Sequence, residues 1–285
     1  MDGILFVDKP DGMTSHDVID EIRRRTRVRR VGHAGTLDPI ATGLLVIAIG
    51  KACRALEFFE ALDKEYVVRI RFGEQTDTLD RAGQKVREAP YQHVTQESLD
   101  EVLKRFVGKI QQKVPEFSAV RVKGKKLYER VRAGEKVEPP TRSVEIHELE
   151  RQEFDLPQVT LRVACSKGCY VRALARDIAE ALGTCAMCEA VRRTRIGTLK
   201  VTDAAPLAEI GDGEAVARRL VAVDQALSFM PEVRLGLEHQ GRFMHGQVLD
   251  LRPPGKLVRI YGPDGFLGIG ASSWDRYIKP RKVLR

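Results

Sequence analysis

Residues 64–72, KEYVVRIRF, alternate so that Tyr66, Val68, Ile70 and Phe72 share one face and Val67, Arg69 and Arg71 the other. This period of two is that of a strand covered on one side. The segment VTLRVAC repeats it with Val159, Leu161, Val163 and Cys165, and the apolar run Leu44 to Gly50 predicts a buried strand. ILFVDKP reads as a short strand running into a turn, with Lys9 and Pro10 at its end. Helical spacing lies between these runs. Thr14-Ser15-His16-Asp17 is a capping box for a helix with Val18, Ile19 and Ile22 inward. After Thr95, the residues Leu99, Val102, Leu103, Phe106 and Val107 share a face that ends at Gly108. Leu174, Ile178 and Leu182, closed by Gly183, predict another helix. Strands and helices alternate without a regular βαβ rhythm.

Two stretches depart from this texture. From Lys109 to Arg142 apolar residues are scattered among lysines and arginines, with aromatics at Phe117 and Tyr128. Composition leaves two readings open: a solvated insertion, or an excursion with a basic, stacking face for looped RNA. Beyond Met230-Pro231, Leu257–Tyr261 and Phe266–Ala271 predict a hairpin joined through Gly-Pro-Asp-Gly, followed by the basic tail RYIKPRKVLR. A segment this small, made of short strands, predicts a β-barrel module leaning on the main domain.

Composition narrows the function. The 285 residues are 43% hydrophobic, enough for one sizeable core and a smaller second domain. No apolar run is long enough to span a membrane, and the N-terminus lacks a signal-peptide pattern, so a cytoplasmic location is expected. The formal charge of +8 and six arginines between Arg23 and Arg30 suit a polyanionic substrate. Only Asp20 and Glu21 lie near that run, so it is expected to face an anion. Five cysteines read as reduced thiols. Cys165, Cys169, Cys185 and Cys188 approach a zinc-ribbon spacing, but a full helix between the pairs argues for small buried hydrophobes instead.

The candidate chemistry centres on GHAGTLDPIATG, Gly32 to Gly43, where one carboxylate, Asp38, sits in a glycine-rich loop just before a buried strand. Local sequence leaves Asp38 open between a turn cap and a catalytic group. Tyr66 begins a strand on its inward face, as an ordinary core tyrosine also would. Arg172 falls at a strand-to-helix junction, where a cation opposes the helix dipole and calls for a carboxylate or phosphate. Asp77 and Asp80 lack calcium-loop spacing and read as turn carboxylates.

The segments DKPDGMTSHDVI, GHAGTLDPIATG, KEYVVRIRFGEQTDTLD, PEFSAVRVKGKKLYERVRAGE and SKGCYVRALARDIAEALG, in this order, resemble the TruB family of tRNA pseudouridine synthases. The resemblance implies an α+β fold on a mixed, mostly antiparallel sheet: a catalytic domain over 1–229 with a thumb insertion at about 109–142, then a PUA-like RNA-binding β-barrel over 230–285. It implies isomerisation of uridine to pseudouridine at position 55 in the T loop of tRNA. Carried over, Asp38 is the catalytic aspartate, Tyr66 stacks on the target base and Arg172 pairs with Asp38. His33 holds the flipped nucleotide, while Tyr170, Lys9 and Pro10 line or support the pocket, and Arg121, Lys123 and Tyr128 grip the RNA from the thumb. Phe117, Arg121, Cys169 and Ala34 depart from the family pattern.

Forming pseudouridine breaks the bond from N1 to C1′ and rejoins the uracil through C5, with no net redox change, so no cofactor or metal is expected. One ionised carboxylate suffices if it attacks the sugar or assists a glycal-like species. Competing readings are a non-catalytic tRNA-binding or folding protein and an RNA-guided relative that works with partner proteins. A nucleotide-dependent enzyme is disfavoured, because neither a G-x4-G-K-[ST] loop nor a G-x-G-x-x-G turn is present. The compact chain with its own basic insertion reads as needing no protein partner, and the lack of a long exposed apolar stripe makes a monomer the expectation.

Overall fold

The Thr14 hydroxyl accepts the Asp17 N–H (3.0 Å) and the Asp17 carboxylate accepts the Thr14 N–H (2.7 Å), so the capping box opens a helix over Ser15–Thr26. The computed structural model showing this describes residues 1–118, 120–122, 124–135 and 137–284, and of Lys126 the backbone alone. The sequence reading of Lys123 lies outside the described residues. Val18, Ile19 and Ile22 pack inward, and the helix ends where Arg27 turns left-handed (φ 58°), its N–H returning to Arg23 O at 2.7 Å.

A mixed, mostly antiparallel sheet of ten strands forms the centre. Its main path runs Ala205–Pro206, Gly3–Lys9, Ala41–Ile49, Ala186–Ile196, Lys64–Phe72, Gln158–Cys165, Thr141–Asp155, Gly108–Lys113. Parallel pairing occurs at Gly3–Lys9 with Ala205–Pro206 and at Ala41–Ile49 with Ala186–Ile196. One face carries the larger core, where Val68, Ile70 and Phe72 meet the three predicted helices, observed at Ser15–Thr26, Gln96–Phe106 and Val171–Ala181. Each fully buried aliphatic side chain there contributes about 1.5–3 kcal/mol. The opposite face is charged in mid-sheet: Glu65 accepts from Arg162 (3.0 Å), Thr194 (2.8 Å) and Arg195 (3.2 Å).

The strand Ala41–Ile49 changes partner along its length. Residues 41–43 pair with Val191–Arg193, whereas residues 46–49 pair with Val31–Ala34. The loop Gly35–Ile40 leaves the sheet where these two neighbours diverge. Gly43 sits at the junction with φ 99°, and a Cβ there would lie 2.3 Å from Arg193 O, so this position requires glycine.

Two boundaries differ from the sequence reading. The helix after Thr95 stops at Phe106; Val107 is extended and 47% exposed, and Gly108 begins a strand. That strand pairs with Thr141–Ile146, so the excursion from the sheet spans 114–140 and is shorter than 109–142. Lysines flanking Ile110 and Gln112 hid the alternation. The neck closes with Val114 N–H on Pro140 O (3.0 Å), and the excursion holds short strands Arg121–Val122 and Lys125–Lys126 and a helix Leu127–Arg132.

The arginine run also differs. Arg23 pairs with Asp20 (3.0 Å), while Arg24 and Arg25 both pair with Glu21 (2.6 Å each), so two acids one helical turn back neutralise half of it.

From Glu232 the chain forms a four-stranded sheet with its own core around Phe243, Ile260, Leu267 and Ile278. The predicted hairpin is present as Leu257–Gly262 and Gly265–Ser273. Ile269 reaches into the second core of the main domain, and Arg281 and Lys282 pair with Glu57 at 2.7 and 2.8 Å. Among the described residues no helix is long and apolar enough to cross a membrane.

Candidate active site

One row of cross-strand partners runs through the sheet: Lys9 opposite Gly43, Gly43 opposite Arg193, Arg193 opposite Tyr66, Tyr66 opposite Val163. Residues directly opposite share a face, so the register alone brings Lys9, Arg193 and Tyr66 beneath the loop that carries Asp38.

That loop is fixed from below. Ser15 Oγ donates to Leu37 O (3.1 Å) and accepts the Leu37 N–H (2.8 Å). Lys9 Nζ donates to Pro39 O (3.3 Å), Met13 O (2.5 Å) and Pro10 O (2.8 Å). Arg193, 1% exposed, donates to Gly35 O (3.0 Å) and Leu44 O (2.7 Å). Five carbonyls around the Asp38 loop and the strands beside it are thus met by buried cations, which offsets part of the cost of burying them. Burial lowers the Lys9 ammonium to about 8 and also lowers Arg193.

Asp38 remains 40% exposed, and its Oδ2 lies 2.8 Å from Arg172 Nε, an ion pair whose N–H is not aligned as a hydrogen bond. Arg172 is 4% exposed and its remaining nitrogens are anchored: Nη1 donates to Thr78 O (2.5 Å) and lies 3.4 Å from Asp80 Oδ2, and Nη2 donates to Phe117 O (3.1 Å). The carboxylate called for at this helix start is therefore present twice. Asp80 corrects the sequence reading. It is a buried counter-ion, braced by Thr78 Oγ1 (2.8 Å) and Ala82 N–H (3.0 Å), whereas Asp77 is the exposed turn carboxylate that accepts Gln84 N–H (2.8 Å). Arg172 also ties the neck of the insertion, through Phe117, to the Asp38 loop.

A cleft of about 1300 Å³ opens above this row and is lined by His33, Asp38, Tyr66, Tyr170 and Arg172 of the predicted set. It exceeds a typical small-molecule pocket and has room for a piece of a polymer. Its lining holds Lys64, Arg142, Lys167, Arg172, Arg193 and Arg281 against Asp38, Glu57 and Glu60, a balance suited to phosphates. Burial pushes the Tyr66 phenol up to about 12 although the Arg193 cation beside it opposes the shift, so it stays protonated. Burial and the nearby Arg193 cation depress His33 to about 4, and its buried Nδ1 has no partner. The backbone of Tyr170 is clamped by fully buried Gln112, which donates to Tyr170 O (3.1 Å) and accepts its N–H (2.8 Å). Burial raises the Tyr170 phenol, and Arg142 lies 5.7 Å from its ring centroid.

Other expected residues lie elsewhere. Lys9 is fully buried with its ammonium on carbonyls, and Pro10 borders a separate hollow with Asp8, Met13 and Arg192. Both support the loop from behind and do not line the cleft. Arg121 is exposed on the insertion and donates to Gly124 O (2.9 Å), while Tyr128 has Arg132 5.6 Å from its ring; neither lines the cleft. The four cysteines disperse: Cys169 lines the cleft beside buried Cys165, Cys185 Sγ faces Arg87 O and Cys188 Sγ faces Val171 O, both at 3.9 Å. Among the described residues no group of His, Cys, Asp or Glu is placed to hold a metal ion.

The N-terminal domain of the TruB family pseudouridylate synthases matches residues 23–171, and the C-terminal domain of pseudouridine synthase II TruB matches 231–284. The tRNA pseudouridine synthase B of Caldanaerobacter subterraneus subsp. tengcongensis is 41% identical over 288 residues, covering 100% of this chain and 99% of that protein. This chain belongs to the TruB family. That of Ralstonia nicotianae is also 41% identical, over 99% of this chain and 94% of its own. As a TruB member the chain is a pseudouridine synthase, an isomerase. Its fold is that of the chain in an H/ACA RNP bound to a substrate RNA containing 2′-deoxyuridine (TM-score 0.74, 23% identity, 99% of this chain, 85% of that one). A Cbf5-Nop10-Gar1 complex is similar in the same way (TM-score 0.72, 24% identity, 99% and 85%).

Proposed function

We propose that this TruB protein isomerises uridine to pseudouridine at position 55, in the T loop of tRNA, with Asp38 as the nucleophile on a flipped-out nucleotide. The observation that carries the reading is the asymmetry of one ion pair: Arg172 is 4% exposed and anchored on all sides, while Asp38, 2.8 Å away, is 40% exposed to the cleft. A carboxylate so held is aimed without being covered.

The target base leaves its stack and lies against Tyr66, whose ring replaces the lost stacking, while His33 and the basic cleft wall hold the opened loop. Asp38 attacks C1′, or assists loss of the C2′ proton to give a glycal. The bond from N1 to C1′ breaks, the uracil turns, and C5 joins C1′ as the bond to Asp38 breaks or, on the glycal route, as C2′ regains its proton. The proton on C5 then leaves to solvent and N1 takes one up, so the product is an isomer of the substrate. Within the chain, 1–229 acts as the catalytic domain and 230–285 as a PUA-like RNA-binding module. Arg121, Lys123 and Tyr128 of the insertion grip the T loop. The protein works as a monomer in the cytoplasm without an obligatory protein partner.

Release of tritium from C5-labelled uridine in an unmodified tRNA transcript tests the reading. Release by the wild type, abolished when the T-loop uridine is replaced by cytidine, is expected. Release that persists after that replacement would move the target elsewhere, and bound tRNA without release would leave only an RNA-binding role.

A further inference from the structure

The sole tryptophan of the chain, Trp274, is 92% exposed at the tip of the hairpin joining Gly265–Ser273 to Tyr277–Val283. The turn closes with Arg276 N–H on Ser273 O (3.3 Å), and its two central residues, Trp274 and Asp275, have φ of 58° and 52°. Positive φ at both positions is the geometry for which hairpins use Asn-Gly or Asp-Gly. A bulky aromatic is a backbone outlier there, and burial of the ring does not compensate it. Both the exposure and the backbone are thus unfavourable to the free protein.

The hairpin also leads out of the active-site cleft. Leu257, Ala271 and Arg281 of this module line that cleft together with Asp38. Ala271 is paired with Lys279, and two residues on, Ser273 is paired with Tyr277, so these four share one face of the ribbon. Trp274 lies three residues beyond Ala271, roughly 10 Å at about 3.3 Å per residue. From the cleft wall outward, this face presents an exposed lysine and a tyrosine with Arg276 5.9 Å from its ring centroid, and the tryptophan follows in the turn at its end. Cations followed by an unpartnered indole fit a polyanion that carries flat bases.

We propose that Trp274 is a stacking platform for an unpaired base of the substrate RNA, outside the loop that holds the target uridine, with Lys279 and Arg276 meeting the adjoining phosphates. The inference rests on the reading of tRNA as substrate and adds a second contact point on it.

Because Trp274 is the sole tryptophan, its emission reports directly on this contact. The experiment titrates the full-length protein with unmodified tRNA, following tryptophan fluorescence and filter binding in parallel, and compares Trp274→Asn and Trp274→Phe. Expected are quenching that saturates with binding, a Kd raised roughly tenfold in Trp274→Asn and little changed in Trp274→Phe, and an unchanged kcat at saturating tRNA. Asn suits positive φ, so Trp274→Asn should melt no lower than the wild type, which separates lost binding from lost folding. Unchanged emission on tRNA that filter binding shows to be bound, or a Trp274→Asn variant that binds as well as the wild type, overturns the proposal. Failure of the wild type to bind tRNA at all overturns the proposed substrate first, and this contact with it.

Discussion

Arg172 Nε lies 2.8 Å from Asp38 Oδ2, and Nη1 of the same guanidinium lies 3.4 Å from Asp80 Oδ2. The two carboxylates differ in their surroundings: Asp80 is 6% exposed and Asp38 40%. One is placed to fix the arginine, the other to use it. Asp80→Asn keeps the shape and loses the charge, so apart from Asp38 itself Arg172 would be held by the Thr78 and Phe117 carbonyls alone. Misplacement on the order of 1 Å costs up to about a hundredfold in rate. Steady-state kinetics should show kcat lowered by about ten- to a hundredfold with KM changed less than threefold.

Tyr66 has two separable features, its ring and a hydroxyl near the Arg193 cation. Tyr66→Phe keeps the ring and removes a polar group beside a buried cation, a stability cost of at most about 1–3 kcal/mol with a modest loss of rate. Tyr66→Leu removes the stacking surface and should lower kcat/KM by roughly ten- to a hundredfold. Urea denaturation together with single-turnover rates distinguishes the two; equal rates in Phe and Leu variants would contradict a stacking role.

Gly43→Ala should harm folding before chemistry. The new Cβ would meet Arg193 O at 2.3 Å with φ at 99°. Backbone strain and overpacking together cost about 2–5 kcal/mol, equivalent to a Tm lower by roughly 5–15 °C. A scanning calorimetry trace within 2 °C of the wild type, to an order of magnitude no loss at all, would refute this.

His33 should give an acid-side slope in stability. The unfolded chain takes up this proton near pH 6.5, the folded chain only near pH 4 because burial and Arg193 oppose it. Unfolding therefore binds a proton across that window, and stability rises with pH through it. His33→Gln should flatten the slope between pH 4 and 6.5 in urea titrations, leaving the region above pH 7 as in the wild type.

The sheet and its three main helices were legible because strands covered on one face and amphipathic helices write their period into the sequence. Thr14 with Asp17, and Tyr66 with Val68 and Ile70, are local statements of that kind. Arg172 was legible for another reason: a cation in the first turn of a helix needs an anion, and Asp38 and Asp80 supply it. Asp80 itself was hidden in a Thr-Asp-Thr-Leu-Asp turn, since its burial arises from pairing beside Cys188, over a hundred residues on. Arg193 was hidden within VRRTR, where its neighbour Arg192 is half-exposed and pairs with Asp8 (2.6 Å). The signal that could have found it is Gly43, a glycine before an apolar strand that leaves room for another backbone. The arginines after Glu21 were over-read for the opposite reason, because the acids that neutralise three of them precede the run by a single turn.

The nucleophile is tested most directly by single-turnover tritium release from C5-labelled tRNA with the wild type and Asp38→Asn, each at protein concentrations shown by filter binding to saturate the RNA. Asn fills the same space and leaves Arg172 and the cleft in place, so binding should stay within about threefold while release falls by at least about a thousandfold, to the level of the uncatalysed control. Release by Asp38→Asn within tenfold of the wild type would contradict Asp38 as the nucleophile.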